Sequence, residues 1–170
     1  MITFETPVAK TLGATSPGEL IRVLLNPQDE PSLCIVLIND GTGAVVLGVL
    51  PPAGSATYAF HLALKAGKNC ISFGQDWFLK PELGRESWVG NRQHVYWPGS
   101  LHLQHDGWVA TFKQAPEDYR HSELLINLSS NELADDIGDA APFLRWQIWQ
   151  SRELFDAGHP PLATIEAAEG

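Results

Sequence analysis

The sequence predicts an all-β fold, mainly antiparallel, of the β-sandwich or jelly-roll-like type, with one short helix near residues 130–138. Three observations carry this expectation. Gly, Pro, Asn and Asp punctuate the chain at intervals of roughly eight to twelve residues, the rhythm of sandwiches and barrels. Between the marks stand short runs rich in Val, Ile, Leu and aromatic residues, side chains that suit a pleated, half-buried surface. Several runs alternate with period two, which places every second side chain on one face of a strand.

Glu19 to Asn26 (ELIRVLLN) reads as a strand closed by Pro27 and the polar QDEP segment. Leu33 to Ile38 (LCIVLI) is apolar at every position, so both of its faces need cover and it belongs at the centre of a sheet. Asn39-Asp40-Gly41-Thr42-Gly43 supplies a hairpin turn, because Gly, Asn and Asp tolerate the positive φ that tight connections require. Ala44 to Leu50 returns as the partner strand, and Pro51-Pro52-Ala53-Gly54-Ser55 ends its pairing. Thr57 to Leu64 then alternates. Tyr58, Phe60, Leu62 and Leu64 share one face; Thr57, Ala59, His61 and Ala63 share the other.

The turn Ala66-Gly67-Lys68-Asn69 leads into Cys70 to Leu79, where Ile71, Phe73, Trp77 and Leu79 keep phase. Lys80 to Gln93 (KPELGRESWVGNRQ) is a polar excursion too long for an ordinary hairpin connection, and long loops in compact domains often carry binding. His94 to Trp97, a Pro98-Gly99 corner, Ser100 to Gln104, an Asp106-Gly107 turn and Trp108 to Gln114 come next. The last two strands make the clearest hairpin in the chain. After a strand from Glu123 to Ser129, the spacing of Ser129 and Glu132 matches a capping box and predicts a short helix ending near Gly138. Phe143 to Phe155 fits two patterns. Leu144, Trp146 and Ile148 alternate as in a strand, whereas Ile137, Ala141, Leu144, Ile148 and Phe155 also form a helical stripe between Pro142 and Gly158. The aromatic and β-branched first half favours the strand. Pro160-Pro161 separates a last strand, Leu162 to Glu166.

The 170 residues suit a single domain, residues 1–170, with no internal repeat, low-complexity tract or linker. A chain of this length buries roughly 70% of its unfolded surface, so no metal or disulfide staple is required. Twenty acidic against 11 basic residues give a formal charge of −9, and Lys and Arg nowhere form a stripe able to neutralise phosphates. That argues against nucleic acid and anionic membrane as partners. Between Glu117 and Asp139 seven acids stand against Arg120 alone, as on a solvated acidic face. The start MITFETPVAK has neither a basic end nor an apolar run, and no apolar stretch is long enough to span a bilayer. The expectation is a cytoplasmic or otherwise soluble protein with no Sec-type export signal. Cys34 and Cys70 fall inside strands without metal-ligand spacing and read as buried thiols, a disulfide between them being open on sequence alone.

No Walker loop, nucleophile elbow, CxxC pair or HExxH helix is present. Gly41-x-Gly43 with Gly48 has the wrong spacing for a dinucleotide fingerprint and precedes a strand rather than a helix, so it reads as a turn. Carboxylate pairs can be drawn from Asp76, Glu82, Glu86 and Asp106, but sequence fixes no separation between them. Histidines offer a weaker alternative, a metal site from His94, His102 and His105, with His121 nearby in sequence. In a strand, His102 and His105 point to opposite faces, so both reach one metal only if His105 lies in the turn before Asp106-Gly107. Pro98-Gly99-Ser100-Leu101-His102 resembles the second motif of cupins, small metal-holding β-barrels. The first cupin motif, an HxH pair with a glutamate, is absent upstream. No metal and no cofactor is therefore expected.

All six tryptophans and five of the six histidines come after residue 76, interleaved with Asn, Arg, Asp and Gly. Apolar ring faces with a polar edge stack on sugars and fill hot spots at protein interfaces. Trp88, Asn91, Arg92, Trp97, His102, Asp106 and Trp108 are the ligand or interface candidates on this ground. A galectin-type sandwich is similar in residue types, but its spacing is not reproduced here and no site carries across. The expected function is a non-catalytic recognition or assembly module, with a protein partner or a homo-oligomer formed through the aromatic-rich surface. A carbohydrate-binding, lectin-like domain is the alternative, and a metal-dependent cupin-like β-barrel enzyme the second alternative.

Overall fold

The computed structural model describes residues 7–84, 97–115, 123–137 and 142–168. The chain runs through β1 (Val8–Thr11), β2 (Leu20–Val23), β3 (Ser32–Asn39), β4 (Ala44–Val49), β5 (Phe60–Lys65), β6 (Asn69–Ser72) and β7 (Phe78–Pro81). It continues through β8 (Leu101–Gln104), β9 (Gly107–Gln114), β10 (Glu123–Asn127), β11 (Glu132–Leu133), β12 (Pro142–Phe143), β13 (Arg145–Trp149), the short helix α1 (Arg152–Asp156) and β14 (Ala163–Glu166). Two sheets result. The larger has the order β1-β6-β2-β3-β4-β5-β9-β10-β11, with β8 beside β9 and β12 beside β8; the smaller is β14-β13-β7. Pairing is antiparallel apart from β5 with β9, joined in parallel through Phe60 with Lys113 and His61 with Gln114. The fold is all-β and sandwich-like, and its larger sheet does not close into a barrel.

The unbroken apolar run of β3 needs cover on both faces, and it receives it. Leu33, Ile35 and Leu37 pack on one side with Leu101, Phe112, Ile126 and the smaller sheet's Trp146, Ile148 and Ile165. Cys34 and Val36 pack on the other with Ile21, Val45, Leu47 and Val49. Each fully buried side chain of this size contributes about 1.5–3 kcal/mol relative to exposure. β5 and β6 are joined by the short turn at Ala66–Lys68 yet stand at opposite ends of the run β6-β2-β3-β4-β5, so the sheet curls around the second cluster. Leu12 closes that cluster. Its N–H donates to Lys68 O at 2.8 Å, and the Gly13 N–H donates to Ala66 O at 2.7 Å.

Three expectations need correction. The helix near residues 130–138 is not formed over its described part, 130–137, which holds a turn and β11. Ser129 does not cap: Asn127 Oδ1 accepts from the N–H groups of Ser129 (2.9 Å) and Ser130 (3.2 Å), and Asn131 turns the chain with φ 60°. Ser129 Oγ accepts from Trp108 N–H instead, at 3.3 Å. The helix is α1, where Ser151 Oγ accepts from Leu154 N–H at 3.4 Å. The segment Phe143 to Phe155 is thus strand in its first half and helix in its second. Cys70 to Leu79 is not one strand, because the chain turns at Gly74 (φ 81°) and passes from β6 in the larger sheet to β7 in the smaller. β1 was not anticipated. Of the predicted strand His94 to Trp97, residues 94–96 lie outside the described residues, as do residues 85–93 of the long polar loop.

Both cysteines are free and buried. Among the described residues no helix is long and apolar enough to cross a membrane.

Candidate functional site

Trp88, Asn91, Arg92 and His94 lie outside the described residues. Of the other sequence candidates, Asp106 and Trp108 come together at the turn of the β8–β9 hairpin, where Trp108 is half-buried and meets Phe143 edge-on at 5.7 Å between centroids. Trp97 is half-buried at the other end of that hairpin, its carbonyl accepting from Ser100 N–H at 2.9 Å. His102 is 0% exposed, its Nε2 lying 2.9 Å from Ser100 Oγ, which donates in turn to Thr111 Oγ1 at 3.2 Å. His105 stands in water with its side chain 94% exposed. The two histidines therefore serve different environments, one the core and one the solvent. Among the described residues no three His, Cys, Asp or Glu side chains come close enough to hold a metal ion.

The five described tryptophans are all buried or half-buried. The indole N–H groups of Trp77, Trp146 and Trp149 each donate to a backbone carbonyl at 2.8 Å: Gly18, Gly99 and His159. A large ring whose polar edge is satisfied internally is a core residue. Within the described part, the aromatic second half of the chain chiefly fills space between sheets.

A different feature stands out on β2. Register places Ala9, Ile71, Arg22 and Leu33 in one row across β1, β6, β2 and β3, and residues paired in this way share a face. Exposure along the row falls from 46% at Ile71 to 7% at Leu33, so Arg22 stands where the cover supplied by the smaller sheet runs out. There a cleft of about 500 Å³ opens between the two sheets. Leu33 and Leu50 wall it on the larger sheet, and Leu162 and Ala163 wall it at the start of β14. Hydroxyls of Ser32, Ser55 and Thr57 and the carboxylates of Asp29 and Glu30 also line it. The wall is fixed: Ala53 N–H donates to Thr164 O at 2.7 Å, and Pro52 bridges to Ile165.

Arg22 Nε is buried in this cleft without a hydrogen-bond partner, and among the described residues the guanidinium forms no ion pair. Asp29 and Glu30 line the same space but do not reach it; Asp29 instead accepts from Asn26 Nδ2 at 2.7 Å. Leaving a buried donor unsatisfied costs about 1–3 kcal/mol, more when it is charged. Only Nε is enclosed; Arg22 as a whole is half-buried. The planar guanidinium fork, with its five donors, matches in shape a carboxylate or phosphate oxygen pair, and Arg22 lines the cleft.

Glu19, just before β2, shows the contrast. It is 6% exposed and fully engaged: Lys10 Nζ lies 2.7 Å from Oε2, Ser72 Oγ donates to Oε2 at 2.5 Å, and Ser16 N–H donates to Oε1 at 2.8 Å. Burial pushes its carboxyl up, but the hydrogen bonds from Lys10, Ser72 and Ser16 outweigh that and hold it below the usual carboxylate range. Among the described residues, Glu19 beside β2 has partners and the Arg22 guanidinium has none. Sequence reading passed over Arg22, although a signal existed: it is the single charge in the run LIRVLL.

Compared with known proteins, the chain matches no family model, no curated protein and no solved structure. Fold and site define its class in structural terms: a mainly antiparallel, sandwich-like all-β protein with a cleft lined by Arg22 at the open end between its sheets.

Proposed function

We propose that the protein is a non-catalytic recognition module that holds a ligand in the cleft around Arg22. The observation that carries this reading is the guanidinium that lines the cleft without a protein partner among the described residues. The cleft's volume lies within the roughly 300–1,000 Å³ usual for small-molecule sites, and its lining mixes apolar side chains with charged and hydroxyl-bearing ones. Recognition is favoured over catalysis because, among the described residues, the lining has no histidine or cysteine, the Ser55 and Thr57 hydroxyls bond each other at 2.9 Å, and no lining hydroxyl bonds a carboxylate. Thermal unfolding in the presence of a panel of small anions, cations and neutral sugars tests the reading. Compounds that raise the midpoint of the natural protein should leave Arg22→Met unmoved. Equal stabilisation of both proteins would place binding elsewhere.

A second reading, assembly with another copy of the chain, draws on β1, the end strand of the larger sheet among the described residues, where Val8 is 59% exposed. An edge strand with apolar side chains is a template for pairing. Light scattering across a wide concentration range separates the readings, a monomer throughout removing the second.

A further inference from the structure

The cleft's charge pattern narrows the ligand further than its existence does, provided that the cleft is the working site proposed above. We infer that it takes a small organic monocarboxylate with an apolar body. The carboxylate sits on Arg22, and the apolar body lies along the half-buried Leu162 and Ala163.

Three features lead there. First, Arg22 is the one cationic side chain among the described residues lining the cleft, and its fork matches the two oxygens of a carboxylate. Second, Asp29 and Glu30 line the same cleft, and neither has an ion-pair partner among the described residues. Two carboxylates beside one guanidinium repel a phosphate dianion or other multiply charged anion more strongly than a monoanion, a selectivity set by repulsion as much as by attraction. Third, a bare inorganic anion leaves most of about 500 Å³ unfilled, with the half-buried Leu162 and Ala163 still partly in water. An apolar chain attached to the carboxylate removes that surface from water at roughly 25 cal/mol per Å².

Titration of the isotopically labelled protein with hexanoate, hexanol, hexylamine and inorganic phosphate, monitored through the amides of Arg22, Leu33, Leu50 and Ala163, tests the assignment. Hexanoate should shift these amides and bind about tenfold or more tighter than hexanol, as expected for one charge-assisted hydrogen-bonded contact. Arg22→Met should lose that advantage while keeping a cooperative melting transition, and Arg22→Lys should retain part of it. If hexanol, hexylamine or phosphate binds at the same amides as tightly as hexanoate, the ligand class is wrong although the cleft remains a binding site. If none of the four probes moves them, the cleft reading falls as well.

Discussion

Phe112 packs so closely over Gly48 that a Cβ at that position would lie 2.7 Å from the ring's Cε1 and Cζ. Gly48 is on β4, opposite Ile35 of β3 and His61 of β5, and Phe112 is fully buried in the cluster between the sheets. The glycine is there for want of a side chain, not for a nucleotide. Gly48→Ala should destabilise the fold by about 1–3 kcal/mol, the usual cost of overpacking. In a Phe112→Leu background the same change should cost less, because the obstructing ring is gone. Urea unfolding of the four proteins in this cycle measures it, and equal costs in both backgrounds would count against the contact.

Stability should fall with acid through Glu19. Its carboxyl is held below the usual range in the folded protein, so its contribution is fully present above the unfolded pKa of about 4.5 and is lost as pH drops through the lower folded value. Glu19→Gln should therefore be less stable than the natural protein at neutral pH and converge with it in acid. Lys10→Met, which removes one charged hydrogen bond, should cost about 1.5–3 kcal/mol at pH 7. Urea midpoints from pH 7 down to 3 supply the comparison; parallel curves for natural protein and Glu19→Gln would refute the assignment.

Legibility in the sequence tracked the range of the interactions. β3 was readable because six consecutive apolar residues dictate burial on both faces, and the β8–β9 hairpin because its turn residues are local. The predicted helix is absent over its described part because, although Ser129 and Glu132 offer a local cap, Asn127 takes the N–H groups of Ser129 and Ser130 and turns the chain into the β10–β11 hairpin. β1 was unreadable because what holds it, Lys10 against Glu19 and pairing with β6, comes from elsewhere in the chain. Arg22 was visible as a lone charge in an apolar run, but its cleft was not. The opposite wall, Leu162 and Ala163, is supplied by a strand from the far end of the chain.

An unpaired guanidinium kept for a ligand should be a liability in the empty protein. Arg22→Met keeps the apolar stem and removes the enclosed, unsatisfied Nε donor, so it should stabilise the ligand-free protein by up to about 1–3 kcal/mol. Chemical denaturation without added ligand gives the value. A clear loss of stability would mean that Arg22 holds the fold together, and the functional reading of the cleft would lose its footing.

The two thiols should be inert and should not pair in the folded protein. Cys34 is 0% and Cys70 5% exposed, and burial pushes the Cys34 thiol far above its ordinary range, with Cys70 adding to the shift. Cys70 is raised by burial as well. The thiolate is the reactive form, so both should resist a disulfide reagent at pH 8. β2 lies between the strands that carry them, and two strand spacings of about 4.8 Å exceed the Cα separation of less than about 7 Å that a disulfide allows. Reaction with an aromatic disulfide should release two equivalents only at the rate of unfolding, and the released signal should rise with denaturant. A native-state burst of one equivalent would show that a thiol reaches solvent through local opening, and β6, next to the edge strand, is where that opening should begin.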